Sequence, residues 1–158
     1  MSKQWKLNVW LAPPQTKSGH CTIEIPPAIA DEILGPENKK RLILTFNNGK
    51  SYHRALQRYK EGYALITIGK TTLKDAQKEV GLEEQITLKH DTSEFGMQFP
   101  EEFKEVLKQE PGGEEMFRKL LAGRQRNILY YISSAKTSET RIKRSFQMLN
   151  RIQQGDFN

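Results

Sequence analysis

Residues 21–46 read CTIEIPPAIADEILGPENKKRLILTF, and residues 64–90 read ALITIGKTTLKDAQKEVGLEEQITLKH. Each stretch passes from a short alternating segment through a Pro or Gly breaker into about two turns of helical spacing, then a glycine, then a second alternating segment. Aligned with gaps, they are two copies of one strand-helix-strand unit. Two such units related by a pseudo-symmetry axis make a small closed β-barrel, and closure removes the unpaired edges through which sheets aggregate.

The same period of two extends outward from the repeats. Trp5, Leu7, Val9 and Leu11 share one face, as do Ile23 and Ile25, then Leu42, Leu44 and Phe46, then Ile66 and Ile68. Asn48-Gly49 between RLILTF and KSYHRAL predicts a two-residue hairpin of type I′, in which both central residues take positive φ. Lys60-Glu61-Gly62 predicts a further turn before YALITI.

After Asp91 the period becomes helical. Pro100 suits the start of a helix, Glu101 and Glu102 suit its positive end, and Phe103, Val106 and Leu107 form its apolar face. That helix stops at Pro111-Gly112-Gly113. A second carries Phe117, Leu120 and Leu121 and ends or bends at Gly123, and a third carries Ile128, Tyr131, Ile132 and Ala135. A fourth carries Ile142, Phe146, Leu149 and Ile152. The expected organisation is a barrel domain over 1–92 and a basic helical tail over 93–158, an α+β chain.

A chain of 158 residues with 36% hydrophobic and 28% charged residues and a mean hydropathy of −0.71 is polar but has enough apolar residues for a core, so a folded soluble protein is expected. The single Cys21 excludes an intramolecular disulfide framework. The opening MSKQWKLNVW has no continuous apolar run, and no window approaches the roughly 20 apolar residues of a membrane span, so cytoplasmic residence is expected. Between Met116 and Arg151 nine bases face one acid, Glu139. An anionic partner would meet that segment first.

Motifs with catalytic precedent are weighed by what surrounds them. Ser133-Ser134-Ala135-Lys136 has Ser-x-x-Lys spacing, but the Ser-Asp-Asn and Lys-Thr-Gly elements that accompany such a nucleophile do not occur. A helix end followed by a capped helix accounts for it better: Lys136 complements the dipole, and Thr137 or Ser138 caps TRIKRSFQML. Gly49-Lys50-Ser51 and Gly69-Lys70-Thr71 lack the earlier glycine of a phosphate loop, those positions being Leu44 and Ala64. Lys70, near a helix start, remains an anion candidate. His20, Cys21, His53 and His90 have no metal-ligand spacing, and no metal or cofactor is expected.

A helix ending in Tyr131-Ile132, running into Ser134, Ala135 and Lys136, then a short turn and Glu139, Thr140, Arg141 and Arg144, resembles the C-terminal region of the YdeI/OmpD-associated family, also labelled bacteriocin-protection proteins. The N-terminal half, through TIEIPPAIADEIL, the Asn48-Gly49 hairpin and ITIGKTTLKDAQKEVGL followed by ITLKHD, resembles the small barrel domain of unknown function that often precedes it. The resemblance implies a double-split barrel, shaped like swapped-hairpin transcription-factor barrels, with a helical tail. It supplies no established catalytic residue. Two positions depart from the pattern: Leu82 follows Gly81 where the family has Gly-Asp, and Ser138 stands where proline is common before Glu-Thr-Arg.

The expected function is a non-enzymatic bacterial binding or adaptor protein in bacteriocin or envelope-stress protection, monomeric or weakly self-associating. Tyr131, Lys136, Glu139, Arg141 and Arg144 are the candidate junction, which either docks the tail or receives an acidic protein partner. Docking is the favoured role, with Arg141 forking to a carboxylate. Arg124, Arg126 and Arg151 would extend a basic surface. The alternatives are nucleic-acid binding by the basic helices, which lacks a recognised motif, and an enzyme or binder for a small anionic ligand.

Overall fold

The computed structural model describes residues 3–17 and 19–157, and the chain divides into two compact units, Met1–Thr92 and Ser93–Asn158. The first holds β1 (Gln4–Trp10), β2 (Cys21–Ile25), α1 (Pro27–Leu34), β3 (Arg41–Phe46), β4 (Ser51–Ala55), β5 (Gln57–Arg58), a 3-10 turn (Lys60–Gly62), β6 (Ala64–Ile68), α2 (Lys70–Ala76) and β7 (Glu83–His90). Both copies of the repeat therefore fold as strand-helix-strand, and like strands pair: β2 with β6 and β3 with β7, both antiparallel. Ile23 lies opposite Ile66 and Leu44 opposite Leu88, each pair occupying corresponding places in the two copies.

The ladders make two open sheets, ordered β1-β7-β3-β4 and β2-β6-β5. One isolated bridge, Ala12 to Thr22, extends β2's pairing to the segment after β1. Among the described residues the expected closed barrel is not present as a continuous ring of hydrogen bonds. Trp5 and Val9, Ile23 and Ile25, Leu42 and Leu44, Ile66 and Ile68, and Ile86 and Leu88 are all buried in one core, as strict alternation requires.

The hairpin differs from expectation. Only Gly49 of the Asn48-Gly49 pair has positive φ, at 88°, and the Gly49 amide donates to the Phe46 carbonyl at 3.0 Å while Phe46 donates to Lys50 at 2.9 Å. That is a type I turn followed by a glycine bulge, a three-residue loop. Asn48 explains the choice: its amide donates to the Ala76 carbonyl at α2's end at 2.8 Å, and its oxygen accepts from Lys50 at 3.1 Å.

The second unit holds α3 (Glu101–Gln109), α4 (Gly113–Arg118), α5 (Ala122–Ser133) and α6 (Ser138–Gln153). Phe103, Val106, Leu107, Phe117, Ile128, Leu129, Ile132, Met148, Leu149 and Ile152 form its core. Phe95, Phe99, Phe103 and Phe117 pack at centroid distances of 5.2 to 5.7 Å, Phe99 and Phe103 face to face and the other pairs tilted or edge-on, with Phe95 and Phe99 coming from the loop before α3. Helix α3 stops where Glu110, the residue before Pro111, turns extended at φ −99° and ψ 121°, and the chain then passes so close to α3 that a Cβ at Gly113 would lie 2.9 Å from the Leu107 carbonyl oxygen.

Three expectations about faces are corrected. Gly123 lies inside the first turn of α5 and ends no helix, because the preceding helix already stops at Arg118. Leu121, expected to be apolar-face, is 73% exposed. On α6 the buried face is Ser145, Met148, Leu149 and Ile152, while Ile142 and Phe146 are 41% and 52% exposed. Ser145 tolerates full burial because its hydroxyl donates to the Arg141 carbonyl one turn earlier, at 2.7 Å.

Candidate functional site

A helix leaves its last four carbonyls without partners in its own ladder. Two arginines one turn apart on α6 reach one such carbonyl in the last turn of α5, that of Tyr131, and one just past its end, that of Ala135. Arg144 Nη1 donates to the Tyr131 carbonyl at 2.7 Å and to Ser134 Oγ at 2.9 Å, and Ser134 Oγ in turn donates to the Tyr131 carbonyl at 2.8 Å. The Arg144 guanidinium lies 4.5 Å from the Tyr131 ring centroid, and the Tyr131 hydroxyl donates to Gln147 Oε1 at 3.0 Å. Arg141 Nη1 donates to the Ala135 carbonyl at 3.0 Å while its Nε donates to Glu102 Oε1 of α3 at 2.8 Å. Three helices are thereby clasped at one point. The clasp needs arginine and tyrosine at these positions: a rigid fork and a flat ring are required to hold carbonyls and stack together.

The turn between the helices is fixed as well. Thr137 Oγ1 accepts from the Thr140 amide at 3.2 Å and so caps α6, with Glu139 in the first turn. The Arg141 guanidinium, aided by the backbone amide of Glu102 and the Ser138 hydroxyl, holds the Glu102 carboxyl below its usual range. With side chains 28% and 16% exposed, Arg141 and Glu102 form a part-buried pair.

The five junction candidates therefore separate. Tyr131, Arg141 and Arg144 are brought together, with Glu102 as the partner that sequence reasoning missed. Its signal was present only as an acid at a helix start. Lys136 and Glu139 are exposed and stand outside the bonding just described. Ser133 is exposed too, so Ser133 and Lys136 sit in solvent at the α5 end, and the hydroxyl engaged there is that of Ser134.

The basic surface is more dispersed than the sequence window suggests. Arg151 donates to Asp156 at 3.2 Å with Phe157 stacked 4.7 Å away, Arg118 pairs with Glu94 and Glu114, and Lys119 pairs with Glu115 at 3.0 Å. Arg124 and Arg126, two residues apart on α5, project in different directions. Counted over Ser93–Asn158, 11 Lys and Arg meet 9 Asp and Glu, because α3 and α4 contribute the acids that the window beginning at Met116 left out. The first unit is the more positive of the two, with 14 against 10.

In the first unit Lys70 is the exposed opening residue of α2 and rims a 520 Å³ cavity with Cys21, Leu73, Lys74, Lys78 and Val80. Burial pushes the Cys21 thiol up to about 11. His53 Nδ1 lies 2.8 Å from Asp91 Oδ2 and His90 Nε2 lies 2.7 Å from the Ile33 carbonyl. Among the described residues no three His, Cys, Asp or Glu side chains group as a metal site would need, and no helix is long and apolar enough to cross a membrane.

Residues 97–155 match the model of the family described as bacteriocin-protection, YdeI or OmpD-associated. No curated protein and no solved structure matches the chain. Glu102, Tyr131, Arg141 and Arg144 all fall inside the matched span. The matched span covers 59 of the chain's 158 residues and lies within the second unit, so the clasped helices are similar to the bacteriocin-protection, YdeI or OmpD-associated family.

Proposed function

We propose that the chain is a non-catalytic binding or adaptor protein of the bacterial cytoplasm, serving the protective role that the family's name describes. In this reading the two sheets are the halves of a double-split barrel, and the helical unit presents a rigid face to a protein partner. One observation carries it. The arginines best placed to receive a partner are already held by main-chain carbonyls and Glu102, while two large apolar side chains of α6, Ile142 and Phe146, face solvent. A helix held so firmly with apolar residues outward is built for contact.

The test is site-directed photo-crosslinking in bacterial cells, with the reactive amino acid at Gln109 or Asn150, both exposed on α3 and α6. The expected outcome is one discrete adduct band from either position. Adducts of the same size and yield from a control position such as Lys39, on the first unit, would reject the reading.

A further inference from the structure

Two concavities, of 680 and 400 Å³, run side by side between α3 and α6 and share Val106, Gln109 and Phe146 in their walls. Together they form one groove along the long helix, with Ile142 and Phe146 spaced by one turn on its α6 side. Helix-in-groove recognition uses this geometry: an apolar trough between two helices takes the i, i+3, i+4, i+7 side chains of a third.

The charges around the trough select its occupant. Glu101, Glu102, Glu105 and Glu110 line it, against a single base, Lys143. Glu102 is taken by Arg141 and Glu110 accepts from Gln153 at 3.0 Å, while among the described residues Glu105 has only Lys108 at 3.6 Å, a loose exposed pair. The exposed carboxylates of Glu101 and Glu105 therefore remain for a partner's cations. A nucleic acid or an acidic peptide meets repulsion here. A second copy would set the same four carboxylates against themselves, with one Lys143 from each side to offset them.

We propose that the α3–α6 groove docks a basic amphipathic helix, its apolar side chains on Phe146 and Ile142 and its Lys or Arg side chains toward Glu101 and Glu105. The proposal rests on the helical unit being a binding module, and names the surface and the partner's chemistry.

It is tested with the full chain and a dye-labelled synthetic peptide of Leu and Lys in amphipathic helical order, read by fluorescence anisotropy. Comparison peptides replace Lys by Glu, or keep the composition in shuffled order. The ordered Leu/Lys peptide is expected to bind about tenfold or more tighter than either. Phe146→Ser and Glu105→Lys, both at exposed positions and checked for folding by circular dichroism, should each weaken it by about fivefold or more. Only the Glu105→Lys effect should shrink as salt rises. Equal binding of the Leu/Glu peptide, or no binding of the Leu/Lys peptide, would overturn the proposal. Leu/Lys binding that neither variant alters would remove the groove while leaving a binding module in place. A dimer that Phe146→Ser dissociates, with no peptide binding, would show that a second copy occupies the trough.

Discussion

Replacing Arg141 by alanine removes two hydrogen bonds from a charged donor, to Glu102 at 2.8 Å and to the Ala135 carbonyl at 3.0 Å. Such bonds contribute about 1.5–3 kcal/mol each when buried. Here the pair is part-exposed at 28% and 16%, so solvent screening favours the lower end, about 3 kcal/mol for both together. A unit of this size has roughly 3–10 kcal/mol in all. With a urea slope near 1 kcal/mol per molar, the midpoint should fall by about 2–3 M. Probes for the two units are naturally separate: both tryptophans, Trp5 and Trp10, lie in the first unit, while most helical residues lie in α3 to α6. Ellipticity at 222 nm should move and tryptophan fluorescence should not. Glu102→Gln added to Arg141→Ala should cost much less than Glu102→Gln alone, since the two residues are coupled. Because Glu102 titrates below the usual carboxylate range in the folded state, the pair's contribution is present above about pH 4.3 and is lost as pH falls through the lowered folded value. Arg141→Ala should blunt that acid loss. A midpoint shift below about 0.5 M, or a tryptophan transition that falls equally, would refute the clasp as the origin of the effect.

Arg144→Lys should cost about 1–2 kcal/mol by the same ellipticity measurement, because an ammonium cannot stack flat on Tyr131 while bonding its carbonyl. Gly49→Ala should cost about 1–2 kcal/mol in the tryptophan transition, since φ at 88° disfavours any side chain. The Tyr52 hydroxyl, pushed up to about 12 by burial and then by the Asp75 carboxylate it donates to, gives stability that is full below its ordinary value of 10.0 and lost as pH rises toward 12. Tyr52→Phe should flatten this alkaline fall, read from urea midpoints at several pH values.

Alternation was enough to mark every strand that pairs in the repeats, because a half-buried strand leaves its burial pattern in the order of residues. Which stripe of α6 turns inward was not legible. Residues 142, 146, 149 and 152 and residues 145, 148, 149 and 152 both satisfy helical spacing, and a serine at 145 argues for the wrong one. Its hydroxyl is satisfied by the helix itself, so burial costs little and hydrophobicity gives no warning. The hairpin shows a similar limit: Asn-Gly fits two loop types, and a contact with α2 28 residues away decides between them. At the junction the arginines stood out by type and spacing, but their partners are main-chain carbonyls, which every residue possesses and no sequence pattern distinguishes. The charge asymmetry misled because a window along the chain ignores α3, whose acids fold against α6.

The pairing of like strands in the first unit gives it an internal pseudo-two-fold relation. Where Ile23 meets Ile66 and Leu44 meets Leu88, residues at equivalent places in the two copies face each other, the arrangement a two-fold axis imposes on a homodimer. Joining the halves in one polypeptide releases them from being identical. The copies differ where α1 opens on Pro26-Pro27 and α2 on Gly69-Lys70: one helix starts on two rings that supply no amide hydrogen, the other on a positive charge.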